Sequence, residues 1–218
     1  MNSSFNFRVG LLLVAFVEGF LSMGFQLVAN RLLAPHFGSS LYVWAFLIST
    51  FLLAFSSGAF LGGWISSKIK DNVKPAITVA VVGSVAFLFT ALFGRYLLQT
   101  LEPEIDSLIL GLAIFCPLLF FIPVLSLSCL LPVLTQLNTQ HFNAGLSAGL
   151  IWGISTIGNV AGVMLTVFFL IPQFATSNLL YLWSLLAIVC FVWFIAVATQ
   201  SAKTQASNRA LTNAQAAH

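Results

Sequence analysis

The sequence predicts an all-α fold, a polytopic transmembrane helical bundle of about six spans with both termini in the cytoplasm. Hydrophobic residues make up 60% of the 218 positions and charged residues only 6%, whereas soluble domains are about 25% charged. Six apolar runs are each long enough to cross a bilayer, which takes about 20 helical residues. Turn residues or charged loops separate these runs. The composition therefore excludes a sizeable soluble domain.

The six predicted spans form one transmembrane domain, 1–199, and cover residues 9–33, 41–65, 75–98, 108–131, 144–171 and 178–199. A turn over residues 34–40 separates the first two spans. Interior prolines remove backbone hydrogen bonds, so Pro117, Pro123 and Pro132 predict that the fourth span is bent or broken. Residues 200–218 are rich in Ala, Gln, Asn and Ser without apolar periodicity, which predicts a disordered cytoplasmic tail.

Lysine and arginine placement predicts the orientation, because cytoplasmic loops carry an excess of both. With six spans, one side holds Arg8, Lys68, Lys70, Lys74, Lys203 and Arg209, and the other holds Arg31, Arg95, Glu102, Glu104 and Asp106. Both termini are therefore expected in the cytoplasm. The sequence has no basic patch with interleaved aromatic residues, so the predicted surroundings are a lipid bilayer and not nucleic acid.

Glu18 lies inside the first predicted span. A carboxylate there costs roughly 2.5–3.5 kcal/mol on insertion scales. Ser22, Gln26 and Asn30 follow at every fourth position, so the four side chains form one slowly rotating stripe on the helix. This stripe must face protein, water or a ligand, and it is the leading candidate for a functional site.

Two interpretations of the stripe stay open. Glu18 could bind a cation, relay a proton or hold a polar substrate group, with Gln26 and Asn30 as hydrogen-bond partners. Alternatively, the polar residues hold helices together, which contributes roughly 0.6–2 kcal/mol for each hydrogen bond. A charge is a costly way to join helices, so the first interpretation is favoured for Glu18 and the second for Ser22, Gln26 and Asn30. Arg31, at the end of the span, is expected to extend to the membrane interface.

Small residues four positions apart let helix backbones approach closely. Such spacings relate Gly58 to Gly62, Gly145 to Gly149 and Gly153, and Gly158 to Gly162. They predict tight helix packing and do not specifically indicate a dimer. The fifth span also carries a small and polar stripe of Ser155, Asn159, Gly162 and Thr166. We expect it to face the first-span stripe and to add Ser155 and Asn159 to the ligand site.

The sequence shows no catalytic set, and we predict no enzymatic activity and no cofactor. It lacks a nucleophile elbow, a Gly-rich phosphate loop and paired carboxylates within a span. No metal site is predicted, because ligand spacing is missing among His36, His141, His218, Cys116, Cys129 and Cys190.

Two segments carry a family resemblance. One runs from Glu18 to Ser40, with Trp44, Gly58 and Gly62 following; the other runs from Ile154 to Pro172. Together they resemble the membrane domain of bacterial fused major-facilitator-like/spermidine synthase proteins. The resemblance implies that Glu18, Gln26, Arg31, Pro35, Gly38 and Trp44 belong to a recurring motif. The chain departs from the family pattern in two ways. The soluble synthase domain is absent from the sequence, so aminopropyl transfer is not implied. Ser66-Ser67-Lys68 also stands where an acidic residue is common in the family.

The resemblance implies a protein of the bacterial inner membrane. The leading hypothesis is that it is non-enzymatic and holds a small polar or cationic, polyamine-like ligand beside Glu18. A separate soluble synthase-like protein is expected to dock on the cytoplasmic face. Six spans correspond to half of a typical major facilitator, so transport is possible if two copies assemble as a homodimer. The alternative is a non-transporting scaffold or assembly subunit of a membrane complex. A membrane enzyme acting on a lipid-like substrate is a third possibility, although the chain shows no catalytic set for it.

Overall fold

The structure, a computed structural model, describes residues 2–69, 73–105, 107–139 and 143–216, with side chains from 7 to 201 within these ranges. The described residues are almost entirely helical and include no strand. Six of their helices are long and apolar enough to cross a membrane. We call them the first to sixth spans: Phe7–Phe37, Leu41–Lys68, Lys74–Glu104, Leu108–Asn138, Ala144–Gln173 and Thr176–Ser201. The predicted all-α bundle of six spans is confirmed.

The first helix, Asn2–Phe37, continues beyond the predicted end at residue 33. Pro35 lies in its last turn and is not the point where the chain turns, because a proline near the end of a helix removes only one hydrogen bond. Gly38 ends the helix with a positive φ of 74°, and its N–H donates to the Ala34 carbonyl at 3.0 Å. A left-handed glycine is a common helix stop. Ser40 then caps the second helix, Leu41–Lys68.

The third and fourth spans differ in regularity. The third is a continuous helix, Lys74–Leu101, followed by a short 3₁₀ turn, Glu102–Glu104. The fourth consists of Leu108–Cys116, a wider π-helical segment Pro117–Phe121, Ile122–Ser128 and Leu130–Asn138. Interior prolines interrupt the regular hydrogen-bond pattern, so the predicted irregularity is present, with the break at Cys129. The span also continues past the predicted end at residue 131.

The last two spans also extend beyond their predicted bounds. The fifth runs as Ala144–Leu165, a π-helical segment Thr166–Leu170 and a final turn Ile171–Gln173. The last helix is Thr176–Ala216, so the predicted disorder of the tail is wrong for residues 200–216. This stretch has no Gly or Pro, and its Ala and Gln residues favour helix. Residues 217 and 218 lie outside the described part of the chain.

The first span lies at the centre of the bundle and packs on the fifth and sixth spans. It is the most buried of the six, whereas the fifth is the least buried. Phe25 of the first span contacts Phe87 of the third and Phe120 of the fourth, at ring-centroid distances of 4.8 and 5.8 Å. Large apolar side chains cover the outside, among them Leu52, Phe60, Val85, Phe168 and Val192. A surface of this kind suits contact with lipid.

Candidate functional site

The first and fifth spans pack with their backbones in close contact. A Cβ added to Gly19 would collide with the carbonyl of Ser155, and one added to Gly158 would collide with the carbonyl of Phe16. Gly162 meets the carbonyl of Phe20 in the same way. Small residues are what such a close approach requires. This packing confirms the predicted role of Gly158 and Gly162 and brings Ser155 beside Glu18.

Glu18 is almost completely buried, at 2% exposure. Its Oε2 accepts a hydrogen bond from Ser155 Oγ at 2.8 Å, and its Oε1 accepts one from Ser22 Oγ at 3.0 Å. Within the part of the chain that the structure describes, Glu18 forms no ion pair. Charged groups inside a membrane usually pair with an opposite charge. The two serines orient the carboxylate without neutralising it.

A cleft of about 410 Å³ opens beside Glu18. The second and fifth spans flank it, and the first and fourth contribute the remaining wall. Its lining combines polar and apolar side chains: Glu18, Ser22, Met23, Phe55, Ser56, Ala59, Ser128, Leu131, Trp152, Ser155, Thr156 and Asn159. Its volume lies within the range of about 300–1,000 Å³ that is common for small-molecule sites.

Asn159 is a second residue of the cleft lining that carries an oxygen acceptor. Its Oδ1 is buried and has no hydrogen-bond partner among the described residues, although buried polar atoms normally have one. Ser128, on the opposite wall, donates its hydroxyl to the Phe55 carbonyl at 2.8 Å. Glu18 and Asn159, two residues with oxygen acceptors, thus line one cavity. The complementary ligand is a hydrogen-bond donor with positive charge.

The structure brings together four of the six predicted ligand residues: Glu18, Ser22, Ser155 and Asn159. Gln26 and Asn30 do not line the cleft, and their predicted place in the ligand site is corrected. Each step of four residues advances a helical stripe by about 40°, so the stripe turns away from the cleft after Ser22. Asn30 Oδ1 is instead buried without a hydrogen-bond partner among the described residues.

Sequence reasoning missed the walls of the cleft formed by the second and fourth spans, including Phe55, Ser56 and Ser128. A sequence does not reveal which helices are neighbours in a bundle. The available signal was the presence of hydroxyl side chains inside apolar spans, since such groups tend to face protein or a cavity.

The predicted glycine contacts divide into two groups. Gly58 and Gly62 pack against the carbonyls of Leu125 and Cys129 on the fourth span, as predicted. Gly149 and Gly153 have open space where a Cβ would stand, and Gly145 is close only to the side chain of Asn143 in the described part of the chain. These three glycines make no close helix contact within the described part of the chain, because they lie on the outer side of the least buried span.

Arg31, which was expected to extend to the membrane interface, is held by hydrogen bonds at the end of the fifth span. Its Nη1 donates to the carbonyls of Ile171 and Phe174 at 2.6 and 2.8 Å. The last carbonyls of a helix lack partners within that helix, and the guanidinium supplies donors at the end of the fifth span. Of the other motif residues, Pro35 and Gly38 form the end of the first helix, and Trp44 is half-buried in the first turns of the second.

The described residues contain no group of three or more His, Cys, Asp or Glu side chains that could hold a metal ion. The fold and its apolar exterior define the chain as a multi-pass membrane protein. No family model, no curated protein and no solved structure matches the chain.

Proposed function

We propose that this chain is a non-enzymatic protein of the bacterial inner membrane that binds or translocates a small organic cation, polyamine-like in character, in the cleft beside Glu18. One observation carries the proposal: a buried carboxylate without an ion-pair partner among the described residues lines one cavity with Asn159, whose amide oxygen also lacks a hydrogen-bond partner there. The resemblance of its motifs to the membrane domain of fused spermidine synthase-like proteins agrees with a polyamine.

The chemistry of the cleft suits an alkylammonium ion. An isolated charge in a low-dielectric site is costly, and pairing the carboxylate with an ammonium group offsets that cost for both ions. The ammonium would donate to Glu18 and to Asn159. The methylene chain of the ligand would lie against the apolar side chains of Phe55, Leu131 and Trp152. The aromatic faces of Phe55 and Trp152 would also attract the ammonium group.

Glu18→Gln tests this proposal directly, because the amide keeps the shape of the side chain and removes its charge. The probe is radiolabelled spermidine, measured by equilibrium binding to purified protein in detergent. We expect saturable binding to the wild-type chain and a loss of affinity of about tenfold or more in Glu18→Gln, equivalent to about 1.4 kcal/mol. Glu104→Gln removes an exposed carboxylate outside the cleft and should bind like the wild type. Equal binding by wild type and Glu18→Gln would reject the ligand site.

Two exposed rows of small residues support assembly into a homodimer, as transport would require. They lie beside the cleft: Ala45, Ser49, Ser56 and Gly63 on the second span, interrupted by the exposed Leu52 and Phe60, and Gly145, Gly149 and Gly153 on the fifth. Small side chains at a membrane-exposed surface favour close helix contact more than lipid contact. A second copy seated on these rows would cover the open side of the cleft and add six more spans.

A soluble synthase-like partner on the cytoplasmic face is a further part of the proposal. The loop between the second and third spans supplies Lys68 and Lys74, and Lys70 lies outside the described residues. Basic residues at this end would attract an acidic surface. Co-purification from native membranes, with Lys68→Glu as the weakened variant, tests for such a partner.

A scaffold or assembly subunit is the second candidate function. It is favoured by the low exposure of Glu18 and by the serine hydroxyls that already occupy both of its oxygens. In a scaffold these bonds would join helices and no ligand would bind. Loss of assembly in Glu18→Gln, with no spermidine binding by the wild type, would support the scaffold.

A further inference from the structure

A second cavity, of about 390 Å³, lies where the first, third and sixth spans meet. Its polar lining comes from Arg31, His36, Arg95, Gln99, Thr176 and Ser177. Arg31 follows Glu18 by thirteen residues on one continuous helix, which corresponds to about 20 Å along the axis. The cavity is therefore separate from the Glu18 cleft and lies toward the other end of the bundle.

Two guanidinium groups line this cavity, and neither forms an ion pair with a carboxylate among the described residues. Arg95 Nη1 donates to Ser177 Oγ at 3.3 Å, and Arg31 uses its Nη1 for the carbonyls of Ile171 and Phe174. Each guanidinium has five N–H donors, so both keep donors available. Two like charges in one cavity repel each other unless an anion lies between them.

Among the described residues, one carboxylate contacts the cavity lining. Glu102 Oε2 lies 3.5 Å from His36 Nδ1. This carboxylate therefore contacts the histidine and forms no salt bridge with either arginine. The lining thus has an excess of positive charge and of hydrogen-bond donors, the reverse of the Glu18 cleft.

We infer that this cavity binds a phosphate group. Arginine donates two parallel hydrogen bonds to phosphate oxygens, and the hydroxyls of Thr176 and Ser177 offer further donors. The sixth helix also begins at Thr176, which adds partial positive charge at the same place. The group would belong to the headgroup of an anionic phospholipid or to free phosphate, since both offer the same oxyanion.

A thermal-shift titration of the purified protein in detergent distinguishes these sources. The additives are dihexanoyl phosphatidylglycerol, dihexanoyl phosphatidylcholine and sodium phosphate, with sodium chloride at matched ionic strength. We expect a saturable rise in Tm with the phosphatidylglycerol and none with the chloride. A rise with sodium phosphate as well would assign the site to free phosphate, whereas a rise with the anionic lipid alone would assign it to a headgroup.

Arg95→Gln is the main variant, because Arg95 is exposed and its loss should leave the fold intact. We expect the apparent affinity of this variant for the phosphate-bearing additive to fall by about tenfold, the effect of losing one charged hydrogen-bond pair. Gln99→Glu places a carboxylate at an exposed position of the same lining and should weaken binding to a similar extent. Lys68→Gln also removes one positive charge, but Lys68 lies at the opposite end of the bundle from this cavity. This variant should bind like the wild type.

Any of four results would overturn the inference. The first is that neither dihexanoyl phosphatidylglycerol nor sodium phosphate produces a saturable shift in Tm. The second is wild-type affinity in both Arg95→Gln and Gln99→Glu. The third is an equal loss in Lys68→Gln, which would mean that net charge alone governs binding. A phosphatidylcholine shift as large as that of phosphatidylglycerol would likewise exclude a site selective for anions.

Discussion

Ser155 donates a hydrogen bond of 2.8 Å to Oε2 of Glu18, although the two residues are 137 positions apart in the sequence. The contact lies where Gly19 and Gly158 bring the first and fifth spans together. Ser22 holds the other carboxylate oxygen from the same helix. The helix interface therefore fixes the carboxylate beside the cleft. The geometry of the proposed ligand site thus depends on the packing of the first and fifth spans.

Ser155→Ala should weaken spermidine binding without abolishing it. Removing the hydroxyl leaves Glu18 with one donor, so the carboxylate is held less firmly in position for an ammonium group. We expect a threefold to tenfold fall in affinity, that is about 1 kcal/mol, which is typical of one hydrogen bond. Equilibrium binding of radiolabelled spermidine measures it. Thr156→Ala is the matched control, because Thr156 also lines the cleft but bonds to the Trp152 carbonyl of its own helix.

Gly158→Ala and Gly149→Ala should differ in stability although both change glycine to alanine in the fifth span. At Gly158 the new methyl group would meet the Phe16 carbonyl, and such overpacking costs about 1–3 kcal/mol. At Gly149 the space is open, and alanine improves helix propensity by up to about 1 kcal/mol. Unfolding of the purified variants in increasing SDS measures both. Equal stabilities would contradict the close contact between the first and fifth spans.

The sequence predicts the six spans because each depends on local properties, namely apolar length and the loops between runs. It identifies Glu18 for the same reason, since a carboxylate in an apolar run is visible without any structure. The helix ends were predicted less well. The sequence predicts a turn over residues 34–40, yet the first helix continues to Phe37 and only Gly38 of this stretch has a left-handed backbone. Local composition does not show which of Pro35 and Gly38 ends the helix.

The second half of the site depends on which helices are neighbours, and this is not a local property. Ser155 and Asn159 were expected opposite Glu18 from their small and polar stripe, and they do line the cleft. Gln26 carries the same pattern but is absent from the lining, because the stripe rotates as the helix advances. The walls contributed by Ser56 and Ser128 follow from the packing of four spans.

Arg31→Gln should destabilise the fold more than Arg95→Gln. Arg31 donates to two carbonyls at the end of the fifth span, and hydrogen bonds from charged groups contribute about 1.5–3 kcal/mol. Arg95 is exposed and bonds to a serine hydroxyl at 3.3 Å, so its loss should cost under about 1 kcal/mol. SDS unfolding of the two variants, without added phosphate, checks the order. A greater loss in Arg95→Gln would contradict the capping role of Arg31.

Gly149→Cys should form a disulfide-linked dimer in membranes if the exposed glycine row of the fifth span contacts a second copy. The three native cysteines are buried, so an introduced thiol on the surface is the reactive one. Val189→Cys is the control, because Val189 is exposed on the sixth span, away from both small-residue rows. After mild oxidation, non-reducing gel electrophoresis should show a dimer band for Gly149→Cys and little for Val189→Cys. Equal cross-linking of both variants would indicate random collision in the membrane. The absence of a dimer band in both variants would indicate a monomer whose cleft is open on one side. Gly149→Leu should then lower spermidine uptake into vesicles while leaving equilibrium binding near the wild-type value, since the bulky side chain blocks the contact without touching Glu18.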